Sequence, residues 1–130
     1  MRNRGSVIII EEGKVALIKR NRNGSIYYVF PGGGIEDGET PEMASEREAF
    51  EELGVKVHLK ECINKLENDG TQYFFLAEIL EGIIGTGQGE EYLDKSRDRG
   101  TYQPMWVEIE ALPSINVKPR EVADCIQSLL

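Results

Sequence analysis

Pro31-Gly32-Gly33-Gly34 divides this chain into two parts of different character. Short apolar, β-branched runs lie ahead of it, and a stretch with the marks of a helix follows. Proline removes a backbone donor and glycine tolerates sharp bends, so a strand must end there and the chain must turn. Beyond the turn, Thr40 offers an N-cap oxygen and Pro41 suits the first helical position. Nothing breaks a helix before Leu53, and Gly54 suits the left-handed residue just past its end. The predicted helix, 41–53, has about four turns.

Residues 7–11 and 15–20 read as strands joined by a tight turn at Glu12-Gly13. Residues 21–25 read as a polar loop and 26–30 as a third strand. Residues 55–66 and 71–80 predict a second hairpin, turned at Glu67-Asn68-Asp69-Gly70, with Tyr73, Phe74 and Phe75 its most β-prone run. Residues 81–103 mix glycines and charges without a period, which predicts a long loop of the kind that is often functional. A last strand is expected over 105–109. A C-terminal helix opens at Pro119 and puts Val122, Ile126 and Leu129 on one face. Strands first, one helix midway and one at the end imply an α/β sandwich around a mixed sheet.

With 130 residues, the expectation is a single domain over 1–130. No apolar run approaches the roughly 20 residues of a membrane helix. The apolar run behind the basic N-terminus, 7–10, is shorter than a signal-peptide core, so the expected location is cytoplasmic. Cys62 and Cys125 have neither disulfide-framework nor zinc spacing and are expected to be reduced and buried. The formal charge of -8 argues against an extended nucleic-acid surface, which must neutralise several phosphates. A small anionic substrate is compatible with it if divalent cations carry the positive charge.

Glu48, Glu51 and Glu52 stand at i, i+3 and i+4, on one side of the predicted helix. At 100° per residue, Met43, Ala49, Phe50 and Leu53 form a separate arc expected to face the core. Glu46 falls on that apolar arc without an evident reason. An acidic helix face is most often simply solvated. Here the like charges are crowded on a rigid helix, a cost that Mg2+ or Mn2+ relieves, since both prefer hard oxygen ligands. The glycines ahead of the helix let backbone approach a metal or phosphate closely.

From Gly33 to Val55 the chain follows, without a gap, the pattern Gly, five residues, Glu, seven residues, Arg-Glu-apolar-any-Glu-Glu-any-Gly-apolar. Gly33, Glu39, Arg47, Glu48, Glu51, Glu52 and Gly54 fill every fixed position, with Ala49 and Val55 in the apolar ones. This resembles the Nudix box of the Nudix hydrolase superfamily. The resemblance implies the Nudix α/β/α sandwich and hydrolysis of a nucleoside diphosphate linked to another moiety. It implies Mg2+ (or Mn2+) held by Glu48, Glu51 and Glu52 with the Gly33 carbonyl, and Glu48 or Glu51 activating water. Arg47 and Glu39 resemble the family's internal pair, in which the arginine orients the acidic side chains.

Beyond the box, Arg20 stands where several members of the family place a phosphate-binding arginine; an exposed strand-end charge is the plain alternative. Glu90 and Glu91, ahead of Asp94 and Asp98, are the first choices for the further carboxylate that many members take from the loop before the last strand. Phe30, Tyr73, Tyr102 and Trp106 are candidates to stack a base, although strand aromatics are more often core. His58 reads as a strand residue. Position 70, where many ADP-ribose pyrophosphatases carry proline, is glycine, and Tyr73 lies near a tyrosine typical of diadenosine polyphosphate hydrolases. The expected partner is a small nucleotide-type substrate, and the chain a monomer or homodimer. A silent nucleotide-sensing module and an RNA 5′-pyrophosphohydrolase are the alternative functions.

Overall fold

The computed structural model describes residues 2–67, 69–84 and 101–129. Strands β1 (Arg4–Glu11) and β2 (Lys14–Arg22) form the expected hairpin, with Glu12 and Gly13 both at positive φ, as a two-residue primed turn requires. The predicted polar loop at 21–25 is replaced by a second tight turn at Asn23-Gly24, because β2 runs on to pair with β3 (Ser25–Val29). The glycines form a short strand, β4 (Gly32–Gly34), laid antiparallel on Arg4 to Ser6 of β1.

Helix α1 spans Pro41–Leu53; the Thr40 hydroxyl accepts from the Met43 amide, and Gly54 closes the helix at φ 76°. Strands β5 (Lys56–Glu67) and β6 (Thr71–Glu81) form the second hairpin, and β6 also pairs in parallel with β1. The last long strand, β7 (Thr101–Glu108), starts four residues before the predicted position, held there by its ladder with β2. A 3-10 segment (Ile109–Ser114) and a two-residue strand, β8 (Val117–Lys118), follow. Helix α2 is Arg120–Gln127, with Pro119 as its cap residue; Leu129 lies beyond its end and is 52% exposed instead of sharing the buried face of Val122 and Ile126.

The hairpin β1–β2 joins two sheets, one with β5, β6, β1 and β4 and one with β7, β2, β3 and β8. Alternation along β1 sends Ile8 to one side and Val7 and Ile9 to the other. Ile8 packs with Leu17, Phe74, Val122 and Ile126 under α2. Val7 and Ile9 pack with Ala49, Leu53 and Val55 under α1. A helix on each face of mixed strands is the α/β/α sandwich expected.

The packed side of α1 differs from the predicted arc. Ala44, Ser45, Ala49 and Leu53 are buried, whereas Met43 is 50% and Phe50 59% exposed. The helix approaches β1 so closely that a methyl group on Gly5 would stand 2.5 Å from Ser45 Oγ and 2.8 Å from the Pro41 carbonyl. Only small side chains fit that contact, so the large apolar residues are turned outward. The same rotation half-buries Glu48 and Glu52, so the acidic and core faces adjoin rather than separate. Gly5→Ala is expected to destabilise the protein by about 1–3 kcal/mol through overpacking. Chemical denaturation would measure it. The cysteines also differ from expectation, Cys62 being exposed and Cys125 partly so.

Candidate active site

Strand β4 and helix α1 meet at the glycines, and the absent side chains there make room for carboxylates. A Cβ on Gly33 would fall 2.3 Å from Glu48 Oε2. The Gly32 amide donates to Glu52 Oε1 at 2.7 Å. Glu48 therefore lies where a side chain on Gly33 would push it away, and Glu52 is held by the strand's backbone amide.

Arg47 organises the rest. Its Nε and Nη2 donate to the two oxygens of Glu39, at 2.8 and 3.0 Å. Nη2 also donates to the Gly34 carbonyl at 3.0 Å, and Nη1 reaches Glu48 Oε2 at 3.0 Å and Glu51 Oε1 at 3.3 Å. A planar guanidinium can hold a carboxylate by two parallel bonds, which lysine cannot. Glu39 in turn accepts from the Glu36 amide at 2.9 Å, fixing the loop ahead of the helix. One arginine thus ties the glycine strand, the loop and the helix face together.

These contacts set the ionisation of the carboxylates. The Arg47 bonds, helped by the Glu36 amide, hold the Glu39 carboxyl down at about 2 instead of 4.5. Burial pushes Glu48 above the ordinary carboxylate range, opposed by Arg47 and, more weakly, by Arg4. The Glu39 carboxylate strengthens Arg47's hold on its proton. A depressed carboxyl stabilises the fold fully above pH 4.5, and that contribution is lost as pH falls toward 2. The melting-temperature gap between the native chain and Glu39→Gln is therefore expected to be widest near neutrality and to close between those values.

The donor set of Glu48, Glu51, Glu52 and the Gly33 backbone, hard oxygens beside a space that a Cβ would fill, fits a Mg2+ or Mn2+ ion. As the side chains stand, no three carboxylate, imidazole or thiol groups among the described residues converge closely enough to chelate one. Glu48 and Glu51 are turned to Arg47, and Glu52 to the Gly32 amide. For Glu51 to join a cation site, its exposed side chain would swing off the arginine.

The other candidates fall in several places. Arg20 lies on β2, its Nε donating to the Thr101 carbonyl at 3.3 Å and its guanidinium 3.8 Å from the Tyr102 ring centre. Phe30 is a correction: it is 5% exposed and packs edge-on to Phe74 in the core under α2, so its ring has no face to offer a base. Tyr73 stacks on Phe75 in the first sheet, and Trp106 packs against the cluster under α1. His58 is an exposed residue of β5. Glu90, Glu91, Asp94 and Asp98 lie outside the described residues. Sequence reasoning missed the Gly32 amide, the Gly34 carbonyl and Arg4 as parts of the site. Proline and glycine chemistry pointed to a turn at these residues and the box resemblance to the Gly33 carbonyl alone, and nothing in the sequence marked Arg4.

The description "NUDIX domain" matches residues 1–124, and the chain belongs to the Nudix hydrolase family. An RNA pyrophosphohydrolase of Aeromonas hydrophila is 48% identical over 54 residues, which are 42% of this chain and 30% of that protein. A MutT-like protein of Streptomyces ambofaciens is 37% identical over 62 residues, 48% of this chain and 39% of that one. The matched stretch thus spans well under half the length of these curated relatives. Among solved structures, a NUDIX hydrolase from Nitrosomonas europaea superimposes with a TM-score of 0.74 at 19% identity, covering 97% of this chain and 86% of the other. A NUDIX-family hydrolase of Clostridium perfringens gives 0.72 at 21% identity, covering 99% and 97%. At such identities the likeness is one of fold. No helix among the described residues is long and apolar enough to cross a membrane.

Proposed function

We propose that this chain is a Mg2+-dependent pyrophosphohydrolase that cleaves the phosphoanhydride bond of a nucleoside diphosphate carrying another group. The observation that supports it most is the Arg47 network, which gathers Glu39, Glu48, Glu51 and the Gly34 carbonyl at one glycine strand. Glu48, Glu51 and Glu52, with the Gly33 carbonyl, would hold the cation. When bound, it would supply a water of lowered pKa and neutralise charge on the leaving phosphate.

Glu48 or Glu51 takes the proton of the attacking water, and burial pushes the Glu48 carboxyl upward. Arg47, anchored on Glu39, steadies Glu48 beside the glycine strand and gives up Glu51 to the cation; Glu39 and Arg47 act by positioning. Water attacks one phosphorus, the anhydride P–O bond breaks, and two phosphorylated products leave. Arg20 is the candidate phosphate-binding side chain, and Glu90 or Glu91 the candidate further carboxylate. The remaining parts of the reading are one domain, a cytoplasmic location and a monomer or homodimer.

A second reading, removal of 5′-pyrophosphate from RNA, draws on the Aeromonas relative. Hydrolysis assays with Mg2+ in 18O-water would test both. Nucleoside triphosphates, oxidised triphosphates, nucleotide sugars, ADP-ribose, dinucleoside polyphosphates and a 5′-triphosphorylated RNA are the substrates. One 18O in a phosphate product of one of them is the expected result. Silence across the panel would point instead to a nucleotide-sensing module without activity.

A further inference from the structure

The outward turn of α1 leaves an apolar ridge on the surface. Met43, Glu46 and Phe50 stand at i, i+3 and i+7 on one flank of the helix, and all three are exposed. Beside the ridge runs a groove of about 610 Å³, lined also by Lys56 and Val57 of β5 and by Leu80 of β6, which is 63% exposed. Single exposed apolar residues are ordinary, but several around one groove mark a contact surface.

The charged groups of the groove indicate what fits it. Glu39 and Arg47 line it too and neutralise each other at 2.8 Å. The Glu46 side chain makes no hydrogen bond or ion pair with another described residue. Lys56 Nζ meets Glu81 only at 3.9 Å, with both side chains largely in water. A free acid on the ridge and a loosely held base across the groove thus remain, opposite in sign and on one patch. Two acids and two bases cancel there, whereas the whole chain carries -8, so two copies can meet at this patch without the repulsion their net charge otherwise brings.

We propose that this face is the contact of a homodimer. A two-fold contact is made twice, residue i of one copy against residue j of the other and the reverse. Ridge laid into groove, Phe50 of each copy enters the groove of the other, and Glu46 of each faces Lys56 of the other. An aromatic anchor with charges at the rim is the arrangement that carries binding energy in protein interfaces. The pairing supplies the reason for Glu46 on an otherwise apolar arc. At about 100° per residue Phe50 lies roughly 160° around the helix from Glu48 and Glu52, so the acidic face stays open in the dimer. The inference does not depend on the anhydride-cleaving reading.

The test is sedimentation velocity of the intact chain loaded at about 1 to 100 μM, around the weak end of affinities for interfaces of ordinary size. The native chain is expected to pass from monomer to dimer across that range. Phe50→Ser should weaken association at least about 30-fold, the loss for truncating a central aromatic anchor. Glu46→Lys and Lys56→Glu should each be monomeric, because each sets like charges against one another at both copies of the contact. Mixed in equal amounts the two should dimerise again, since every cross contact then joins a Lys to a Glu. All three positions are exposed, so each variant should keep the native circular dichroism spectrum. A dimer indifferent to all three changes, or a mixture that stays monomeric, would overturn this face as the contact. A native chain that stays monomeric throughout would overturn the dimer itself. In that monomer, a melting temperature lowered by Phe50→Ser would assign the groove to cover by the chain itself, and an unchanged one to an unlike protein.

Discussion

Glu48→Gln is expected to lower turnover by about 10²- to 10⁴-fold while leaving the fold intact. The change keeps the shape of the side chain and removes its charge. In the native chain that charge is half-buried and sustained by Arg47 at 3.0 Å, with Arg4 as a second, weaker cation. Loss of a positioned general base costs roughly that range, and loss of a metal ligand has a cost of similar order. Stability should change little, because the amide still accepts from Arg47 while an expensive buried charge disappears. Initial rates at saturating Mg2+, beside a thermal melt, would measure both effects. A Glu48→Gln enzyme with native turnover would remove this residue from the chemistry.

Gly33→Ala should separate activity from stability more sharply. The added methyl would fall 2.3 Å from Oε2, 2.5 Å from Cδ and 2.9 Å from Oε1 of Glu48. All three atoms belong to the end of a side chain that can swing aside, so the fold absorbs the change and the carboxylate moves. A displacement on the order of 1 Å in a reacting group can cost about 100-fold in rate. That loss is the expectation, with a melting temperature close to native. Gly32→Ala is the contrast, because its methyl would meet the Gly5 carbonyl at 2.5 Å, and backbone cannot swing away. It should lose stability by about 1–3 kcal/mol. If Gly33→Ala retained full activity, Glu48 would not work from the position the glycine allows it.

The parts legible in the sequence are those set by local chemistry. Thr40, Pro41 and Gly54 mark both ends of α1 because caps and positive φ are local requirements. The hairpin turn at Glu12-Gly13 is legible for the same reason. Strands β4 and β8 were not, since three glycines or two residues become strand only when β1 or β3 offers a partner. The outward turn of Phe50 depends on how closely α1 approaches Gly5, a distance no periodicity encodes. At the site, the spacing of glutamates gave their common side but not their directions. Arg47 decides those, and it turns Glu48 and Glu51 toward itself. Phe30 is open to either reading in the sequence, base stacking or core, because a residue beside a glycine turn can face either side, and here its ring lies on the α2 side with Phe74.

The central claim is that the acidic face of α1 takes up the divalent cation used for cleavage, drawing Glu51 off Arg47. The most direct measurement is a Mn2+ titration of the intact chain, with uncomplexed Mn2+ read by electron paramagnetic resonance. The account predicts saturable binding in the native chain, at least about tenfold weaker in Glu51→Gln and in Glu52→Gln. Native affinity in both variants, or no saturable binding in the native chain, would contradict it.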